Sequence, residues 1–397
     1  RDATDWFGAN RTARFNPAAM NHKMPADEIT LAEALKPVGY TTFFAGKWHL
    51  GESPDLWPEH QGYDINVGGT DKGYPHSGGG RYFAPYNNPR LKEGPTGQYL
   101  PYRLADETIN FINENKNQPF LAVLSFYHVH TPLQTTNQLK GKYETKKKQL
   151  NLTNQQEFTD IEQHWPVNRP RRNRILQSHT TYAGMVEATD TAVGGVLETL
   201  EELDLLDNTV VIFTSDNGGL STSEGSPTSN LPLRGGKGWI YEGGIREPFI
   251  VHAPGITKPG STNHTPVSGI DILPTVLELA HAPKPTDKPI DGVSLVPTLS
   301  GDELERDALF WHYPHYANQG GPPAGAIRMG DWKLVELLET GDVALYNLKD
   351  DIGEQNDLAA QHPDRVKQMR TRLHNWYKQV DAKFLRPKNG QTPWQPE

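Results

Sequence analysis

The stretch TVVIFTSDNGG, residues 209–219, carries the strongest fold signal in the chain. Thr209–Thr214 is a short run of β-branched and aromatic residues, which is typical of a buried strand. Ser215–Gly219 follows it with side-chain oxygens and two glycines that permit a tight turn. Because open α/β sheets collect ligands at the carboxyl ends of their strands, the stretch predicts such a sheet with a site at this edge. An ordinary Asn-Gly turn is the competing interpretation.

Segments on both sides of this strand alternate between strand and helix patterns, which favours an α/β layered fold. Further strands are predicted at Thr41–Ala45, Phe120–Tyr127 and Pro248–His252, and helices at Ile29–Lys36, Arg103–Asn115, Arg174–Leu206 and Ile270–Ala280. The stretches Gly68–Tyr99 and Thr135–Asn173 are predicted to be excursions from this pattern, the second with a solvated basic surface.

The pattern changes near residue 300, where short strands joined by turns replace the alternation. Four strands are predicted at Leu309–Tyr313, Ala326–Met329, Trp332–Leu338 and Ala344–Asn347, and a final helix at Pro363–Phe384. We therefore expect a main α/β domain over residues 1–302 and a smaller C-terminal α+β subdomain over residues 303–397.

The composition excludes several classes of site and partner. The 397 residues contain no cysteine, so disulfides, thiolate metal sites and cysteine nucleophiles are excluded within them. With 39 Lys+Arg and 48 Asp+Glu, the net charge of −9 argues against a nucleic-acid partner. No apolar run approaches the roughly 20 residues of a membrane span.

Two further polar clusters follow predicted strands. In GKWHLG (46–51), Lys47 and His49 lie two residues apart, so an extended chain would point both to one side and form an anion site. A surface lysine beside a core histidine is the alternative. In HVHTP (128–132), His128 and His130 could ligate a metal, or one could be a general acid while the other is structural.

The fourth cluster is the glycine-rich stretch 233–248, which contains Lys237. Its glycines would let backbone N–H groups approach an anion, but the spacing is not that of a phosphate-binding Walker loop. We expect all four clusters to converge on one site. Lysines, histidines and an Asp-Asn pair suit an anionic ester held between a hard cation and a basic clamp.

In this order, the motifs resemble those of the sulfatase family of the alkaline-phosphatase superfamily, in the style of bacterial polysaccharide sulfatases. The matching text is GKWHLG (46–51), HTP (130–132), SDNGG (215–219), GKG (236–238), YEGGIREP (241–248) and FWHYP (310–314). The resemblance implies an alkaline-phosphatase-like mixed sheet sandwiched by helices, followed by a C-terminal antiparallel sheet with a terminal helix.

The resemblance implies hydrolysis of the sulfate ester of a sulfated polysaccharide or oligosaccharide. The family's nucleophile is a formylglycine hydrate, and a Ca²⁺ ion binds the sulfate oxygen. Asp216 and Asn217 match two of the calcium ligands. A periplasmic or secreted location is implied by the resemblance alone.

Roles in the reaction are implied for four basic residues. Lys47 and His49 match the pair that steadies the formylglycine, and Lys237 matches a second sulfate-binding lysine. His130 matches the histidine that contacts the ester and protonates the leaving oxygen. Groups preorganised around a developing charge are each worth about 10²–10³ in rate.

The family's nucleophile segment has no counterpart in the sequence. That segment carries an Asp-Asp metal pair and a Cys/Ser-x-Pro/Ala-x-Arg motif, but no serine here has Pro or Ala two positions later. The opening residues 1–6 resemble family text just downstream of the motif. We therefore expect that a first strand, two metal ligands and the nucleophile belong to an N-terminal segment outside this chain.

Two alternatives remain open: a phosphodiesterase or phosphonate hydrolase of the same superfamily, and a catalytically inactive relative that binds sulfated glycans. Candidate substrate contacts are His76, Arg81, His128, His312 and His315. We expect a sulfated sugar of galactose or glycosaminoglycan type, bound in a pocket that acts on chain ends and whose wall is formed by Gly68–Tyr99. The sequence predicts no oligomeric state.

Overall fold

A computed structural model of the chain describes residues 13–75, 81–161 and 171–396. The strands are β1 (Thr41–Gly46), β2 (Ile65–Val67), β3 (Phe120–Ser125), β4 (Phe158–Ile161), β5 (Arg172–Arg174), β6 (Val211–Thr214), β7 (Phe249–His252), β8 (Leu309–Tyr313), β9 (Ala324–Met329), β10 (Trp332–Leu337) and β11 (Val343–Asn347). The α-helices are α1 (Leu31–Leu35), α2 (Leu100–Asn115), α3 (Asn137–Gln149), α4 (Thr180–Glu202), α5 (Glu242–Ile245), α6 (Ile272–Leu279), α7 (Val296–Ser300) and α8 (Pro363–Gln379).

The main domain contains a parallel sheet and two antiparallel strand pairs, β4–β5 and β6–β7. The parallel sheet has the order β2-β1-β3, and its register places Gly46 opposite Ser125 at the carboxyl edge. Helices α2 and α4 pack on each other, and α2 also packs on β1 and β3. The rings of Phe43 and Phe111 stack with centroids 4.6 Å apart, while Met185 of α4 is fully buried in the same core. These contacts confirm the predicted α/β class.

The predicted buried strand at residues 209–214 is shorter and more exposed than expected. Only Val211–Thr214 form a strand, which is β6. Phe213 exposes 39 % of its surface, and Ile250 of the neighbouring β7 exposes 63 %. Among the described residues, β6 pairs only with β7 and β3 pairs only with β1, so one edge of each strand has no strand partner. Apolar residues of the β6–β7 pair are therefore left near solvent.

The C-terminal sheet has the order β11-β10-β9-β8 and is antiparallel throughout. On one face, Leu373 and Tyr377 of α8 pack against Leu334. On the other face, Trp239 and Tyr241 of the glycine-rich stretch join the same core as the sheet residues. The predicted antiparallel sheet with a terminal helix is confirmed, and its second face is covered by the main domain.

Other predicted boundaries need correction. The helix expected at Arg174–Leu206 begins at Thr180, because residues 172–174 form β5 and pair with β4. The Thr135–Asn173 excursion contains α3, a helix without buried residues. The final helix ends at Gln379 rather than Phe384. None of the helices within the described ranges is long and apolar enough to cross a membrane.

Candidate active site

Strand direction brings the candidate loops together in two pairs. β1 and β3 are parallel, so the Lys47 and His130 loops leave the same edge. The glycine-rich stretch, unlike the other clusters, does not follow a strand; it precedes β7. Since β7 is antiparallel to β6, with Phe249 opposite Thr214, the start of β7 lies beside the carboxyl end of β6. The fourth cluster therefore still reaches the Asp216 loop.

The Lys47 loop is held tightly against β3. Gly46 has φ +104°, and a Cβ there would collide with the Ser125 carbonyl. The Lys47 N–H donates to that carbonyl at 2.7 Å, and the Ser125 hydroxyl donates to the Lys47 carbonyl at 2.8 Å. His49 has φ +62°, so the extended-chain argument that paired it with Lys47 is wrong. A left-handed turn, with the His49 N–H bonded to Thr70 O at 2.9 Å, orients the imidazole instead.

The charges of Lys47 and Lys237 act on both His49 and His130. Burial lowers the pKa of Lys47, the Asp216 charge opposes this shift, and Lys237 adds to it. Burial, followed by the charges of Lys47, His130 and Lys237, lowers the pKa of His49 to about 4. These couplings place Lys47, His49, His130 and Lys237 around one partly desolvated site.

The His130 loop presents one ring nitrogen to this site. The His130 Nδ1 lies 2.8 Å from the Thr131 carbonyl, which can only accept, so Nδ1 carries a proton. The other nitrogen, Nε2, is then the one available for chemistry. Burial is the main cause that lowers the pKa of His130, and it outweighs the hydrogen bond to Thr131.

A buried tyrosine fixes this loop from behind. The Tyr82 hydroxyl lies 2.8 Å from the Tyr127 carbonyl and 2.9 Å from the His130 carbonyl, so the two carbonyls share its single proton. Tyr82 is fully buried, within the Gly68–Tyr99 excursion. This part of the excursion therefore positions His130.

Tyr82→Phe is expected to lower the rate of the reaction at this site several-fold and to destabilise the fold by about 1 kcal/mol, because the two loop carbonyls lose the O–H proton that they share. Tyr86→Phe is the matched control. Its hydroxyl is also buried but donates to Gln98 O at 3.0 Å, outside the His130 loop. Steady-state kinetics and urea unfolding of both variants check this. Equal kinetic losses in the two variants would contradict it.

The glycines of the fourth cluster allow two loops to touch through their backbones. The Lys237 N–H donates to Gly219 O at 3.1 Å, and the Gly218 N–H donates to Gly244 O at 3.2 Å. A Cβ on Gly218 would collide with the Gly243 carbonyl. Side chains at these positions would push Lys237 away from the Asp216 loop. This explains why both loops contain Gly-Gly sequences.

The Asp216 loop has the donor chemistry of a hard-cation site. Asp216 is exposed, Asn217 is half-buried, and both supply oxygens. Nearby, Glu247 has a buried carboxylate oxygen without a hydrogen-bond partner, and burial followed by the Asp216 charge raises its pKa to about 7. These oxygens fit Ca²⁺, although the described ranges contain no cluster of three acidic, histidine or cysteine side chains that could hold a metal.

The predicted substrate contacts are not brought together. His76 lies outside the described residues, and Arg81 is exposed. His128 lies between the rings of Tyr82 and Tyr99, with centroids 4.5 and 5.1 Å away.

The two C-terminal candidates belong to the packing of the C-terminal subdomain. His312 lies 2.7 Å from the Lys383 carbonyl and packs on Tyr377. His315 is buried beside Tyr313. An aromatic environment, which sequence spacing does not reveal, explains these histidines better than substrate contact.

Four polar residues near the site were missed. They are Asp71, whose charge acts on His49; Glu224, whose charge acts on His130; Glu247; and Gln319, which bonds Glu224. Glu247 lies in the YEGGIREP motif and could have been found from it. The others lie in loops without a motif, so no sequence signal marked them.

Acid is expected to destabilise the fold through three histidines. Burial lowers the pKa of His49 and His315 to about 4 and that of His128 to about 3, from an ordinary 6.5. The unfolded chain therefore binds more protons between pH 6.5 and 4, so the free energy of unfolding falls as pH falls. Each imidazole contributes at most about 2 kcal/mol to this loss at pH 5.

Urea unfolding at pH 7 and pH 5 measures this loss. His128→Phe keeps the ring between Tyr82 and Tyr99 but cannot titrate, so it should lose less stability than the wild type over this range. An identical loss in both proteins would show that His128 does not contribute.

Comparison with known proteins decides the family. The Sulfatase family model matches residues 9–282. The chain belongs to the sulfatase family. A second family model, the C-terminal region of N-sulphoglucosamine sulphohydrolase, matches residues 236–383. Sulfatases are sulfate-ester hydrolases, so the predicted enzyme class is confirmed.

Individual relatives agree. A sulfatase of Formosa agariphila is 30 % identical over 425 residues, covering 91 % of this chain and 72 % of that protein. Human steryl-sulfatase is 30 % identical, covering 78 % of this chain and 60 % of that protein. The solved structure of Ps i-CgsB in complex with k-i-k-neocarrahexaose superposes with TM-score 0.71 at 26 % identity, covering 92 % of this sulfatase and 78 % of that chain.

Proposed function

We propose that this sulfatase removes sulfate from a sulfated polysaccharide or oligosaccharide. The observation that carries the proposal is that the charges of Lys47 and Lys237 act on both His49 and His130, while the Asp216 charge acts on Lys47. Two lysines and two histidines suit the singly charged sulfate of an ester, and the Asp216 side suits a cation.

Each basic residue has a proposed step. Lys47 and Lys237 bind the non-bridging sulfate oxygens and stabilise the charge that grows on them. His49, kept neutral above about pH 4 by burial and its cationic neighbours, accepts a proton from the nucleophile. In its imidazolium form, His130 gives the Nε2 proton to the leaving alcohol oxygen, and its lowered pKa favours that transfer.

Two groups expected from the family complete the proposal. Asp216 and Asn217 would hold Ca²⁺, which when bound neutralises charge on the sulfate. A formylglycine would supply the nucleophile, and no residue of the 397 matches its Cys/Ser-x-Pro/Ala-x-Arg motif. A periplasmic or secreted location belongs to the same proposal.

The protein expressed from its intact gene is the material for the test. We expect it to release sulfate from sulfated oligosaccharides and aryl sulfates much faster than it cleaves phosphate diesters or phosphonates. Faster phosphate-ester cleavage would favour the phosphodiesterase alternative. Tight binding of sulfated oligosaccharides without release of sulfate would favour the inactive glycan-binding relative.

Calcium dependence is a separate prediction. Asp216→Ala is expected to weaken Ca²⁺ binding at least tenfold, because the hard cation loses a charged oxygen ligand. Isothermal titration calorimetry with CaCl₂ after chelation measures this directly. Asp207→Ala, which removes a carboxylate from the Leu206–Asn208 turn, is the control. Unchanged affinity in the Asp216 variant would place the cation elsewhere.

A further inference from the structure

A cavity of about 310 Å³ lies beside the His130 loop. Its lining comes from the β4–β5 hairpin and from the loop 222–226, and its main residues are Phe158, Arg171, Arg172, Ser223 and Glu224. This volume is at the lower end of the roughly 300–1,000 Å³ of small-molecule sites. The cavity can therefore take about one sugar unit.

Glu224 connects this cavity with the candidate active site. One carboxylate oxygen accepts from the Thr131 hydroxyl at 3.2 Å, directly after His130. The other accepts from the Gln319 side-chain amide at 3.1 Å. The Glu224 charge also raises the pKa of His130, against the larger effect of burial. A ligand in the cavity would therefore lie near Thr131, the residue that follows the proposed proton donor His130.

The cavity wall is rigid around Phe158. The Arg174 guanidinium lies 4.5 Å from the Phe158 ring centroid and donates to the Ser226 carbonyl and, at 2.9 Å, to the Ser178 hydroxyl. On the opposite wall, the Thr222 hydroxyl donates to Gln319 O at 2.7 Å. The β4–β5 hairpin and the 222–226 loop are thus tied together by bonds that do not involve a ligand.

The charge balance of the lining favours an anion. Among the described lining residues, Arg171 and Arg172 are cations, and the one acidic residue, Glu224, already accepts two hydrogen bonds. Guanidinium groups match the planar oxygens of carboxylates and sulfates. A negatively charged group on the neighbouring sugar could therefore pair with these guanidinium groups.

We propose that this cavity is a subsite for an anionic sugar, carrying a sulfate or a carboxylate, that neighbours the sugar whose sulfate ester is cleaved. The proposal rests on the proposed function. It makes this sulfatase selective for densely charged glycans rather than for isolated sulfate esters.

Binding, rather than turnover, tests the subsite. Isothermal titration would compare a monosulfated with a disulfated neocarrabiose, which share one backbone, and with a chondroitin disaccharide that carries a uronate. The wild type should bind the two doubly charged ligands about tenfold more tightly than the monosulfated one. The sulfate and uronate ligands separate the two sources of negative charge.

The double variant Arg171→Gln/Arg172→Gln should lose this preference and keep its affinity for the monosulfated ligand. Lys146→Gln/Lys148→Gln, on the exposed face of α3, removes the same charge and should keep the preference. No preference in the wild type, or an equal loss in both variants, overturns the subsite. Inorganic sulfate binding that survives Lys237→Met would instead count against the proposed function.

Discussion

Lys237→Met is expected to lower kcat/KM for sulfate-ester hydrolysis by about 10²–10³-fold, the largest effect on activity among single substitutions in this sulfatase. The lysine lies in a partly desolvated site, where its charge acts on His49, His130 and Lys47. Methionine keeps the length of the side chain and removes the charge. The developing negative charge on the sulfate would therefore lose one of its two lysines.

Lys349→Met provides the control, because Lys349 is exposed on the turn after β11. Initial rates with an aryl sulfate and a sulfated oligosaccharide separate loss of charge stabilisation from loss of sugar contacts. Both substrates should be affected equally by Lys237→Met. A loss confined to the oligosaccharide would show that Lys237 contacts the sugar rather than the sulfate.

Lys333→Met is expected to lower the free energy of unfolding by about 3–5 kcal/mol, the largest stability effect. Lys333 is fully buried, with its ammonium 3.0 Å from Glu242 Oε1 and 2.9 Å from Glu354 Oε1. Both carboxylates are also buried. Removing the cation would leave both carboxylates without the ammonium that they share in a region of low dielectric, and Glu242 would keep the more distant Arg328 guanidinium, at 3.6 Å.

This buried triad also supports the glycine-rich stretch. Glu354 accepts from the Glu242 N–H at 2.6 Å, and the Arg234 guanidinium donates to the Glu354 carbonyl at 2.9 Å. Glu242 and Arg234 both belong to the segment that carries Lys237. Lys333→Met should therefore lower activity as well as stability.

Two comparisons isolate the effect of burial. Lys383→Met removes a lysine from an exposed pair with Asp381 and should change stability little. The triple variant Lys333→Met/Glu242→Gln/Glu354→Gln removes all three charges and should recover part of the loss. Urea unfolding of all three proteins measures the differences. A triple variant less stable than Lys333→Met would contradict the charge explanation.

Each predicted site residue belongs to a short motif; the motifs of Lys47, His130 and Asp216 follow a strand, whereas that of Lys237 precedes β7. Strand direction accounts for the Lys47 and His130 loops as one pair and for the Asp216 and Lys237 loops as another, but the left-handed turn that orients His49 has no sequence signal. The buried triad could not be predicted, because its members lie 91 and 112 positions apart and no local pattern links them.

The misjudged elements have other physical causes. Helix α3 has no apolar face, so its sequence resembles a loop. Strand β6 has the composition of a buried strand, but its exposure depends on which strands lie beside it. Local sequence therefore predicted that these residues form a strand, but it did not predict how exposed that strand is.

The shared core of Trp239, Tyr241 and the C-terminal sheet makes the two predicted domains thermodynamically dependent. A cut at residue 302 would expose apolar surface on both pieces, so we expect neither to fold well alone and the whole to unfold in one transition. The C-terminal family model begins at residue 236, inside the glycine-rich stretch and well before the change in composition. In a functional chimera with another sulfatase, the junction should therefore lie near residue 236. Trp239 and Tyr241 would then come from the same parent protein as the C-terminal sheet that they cover.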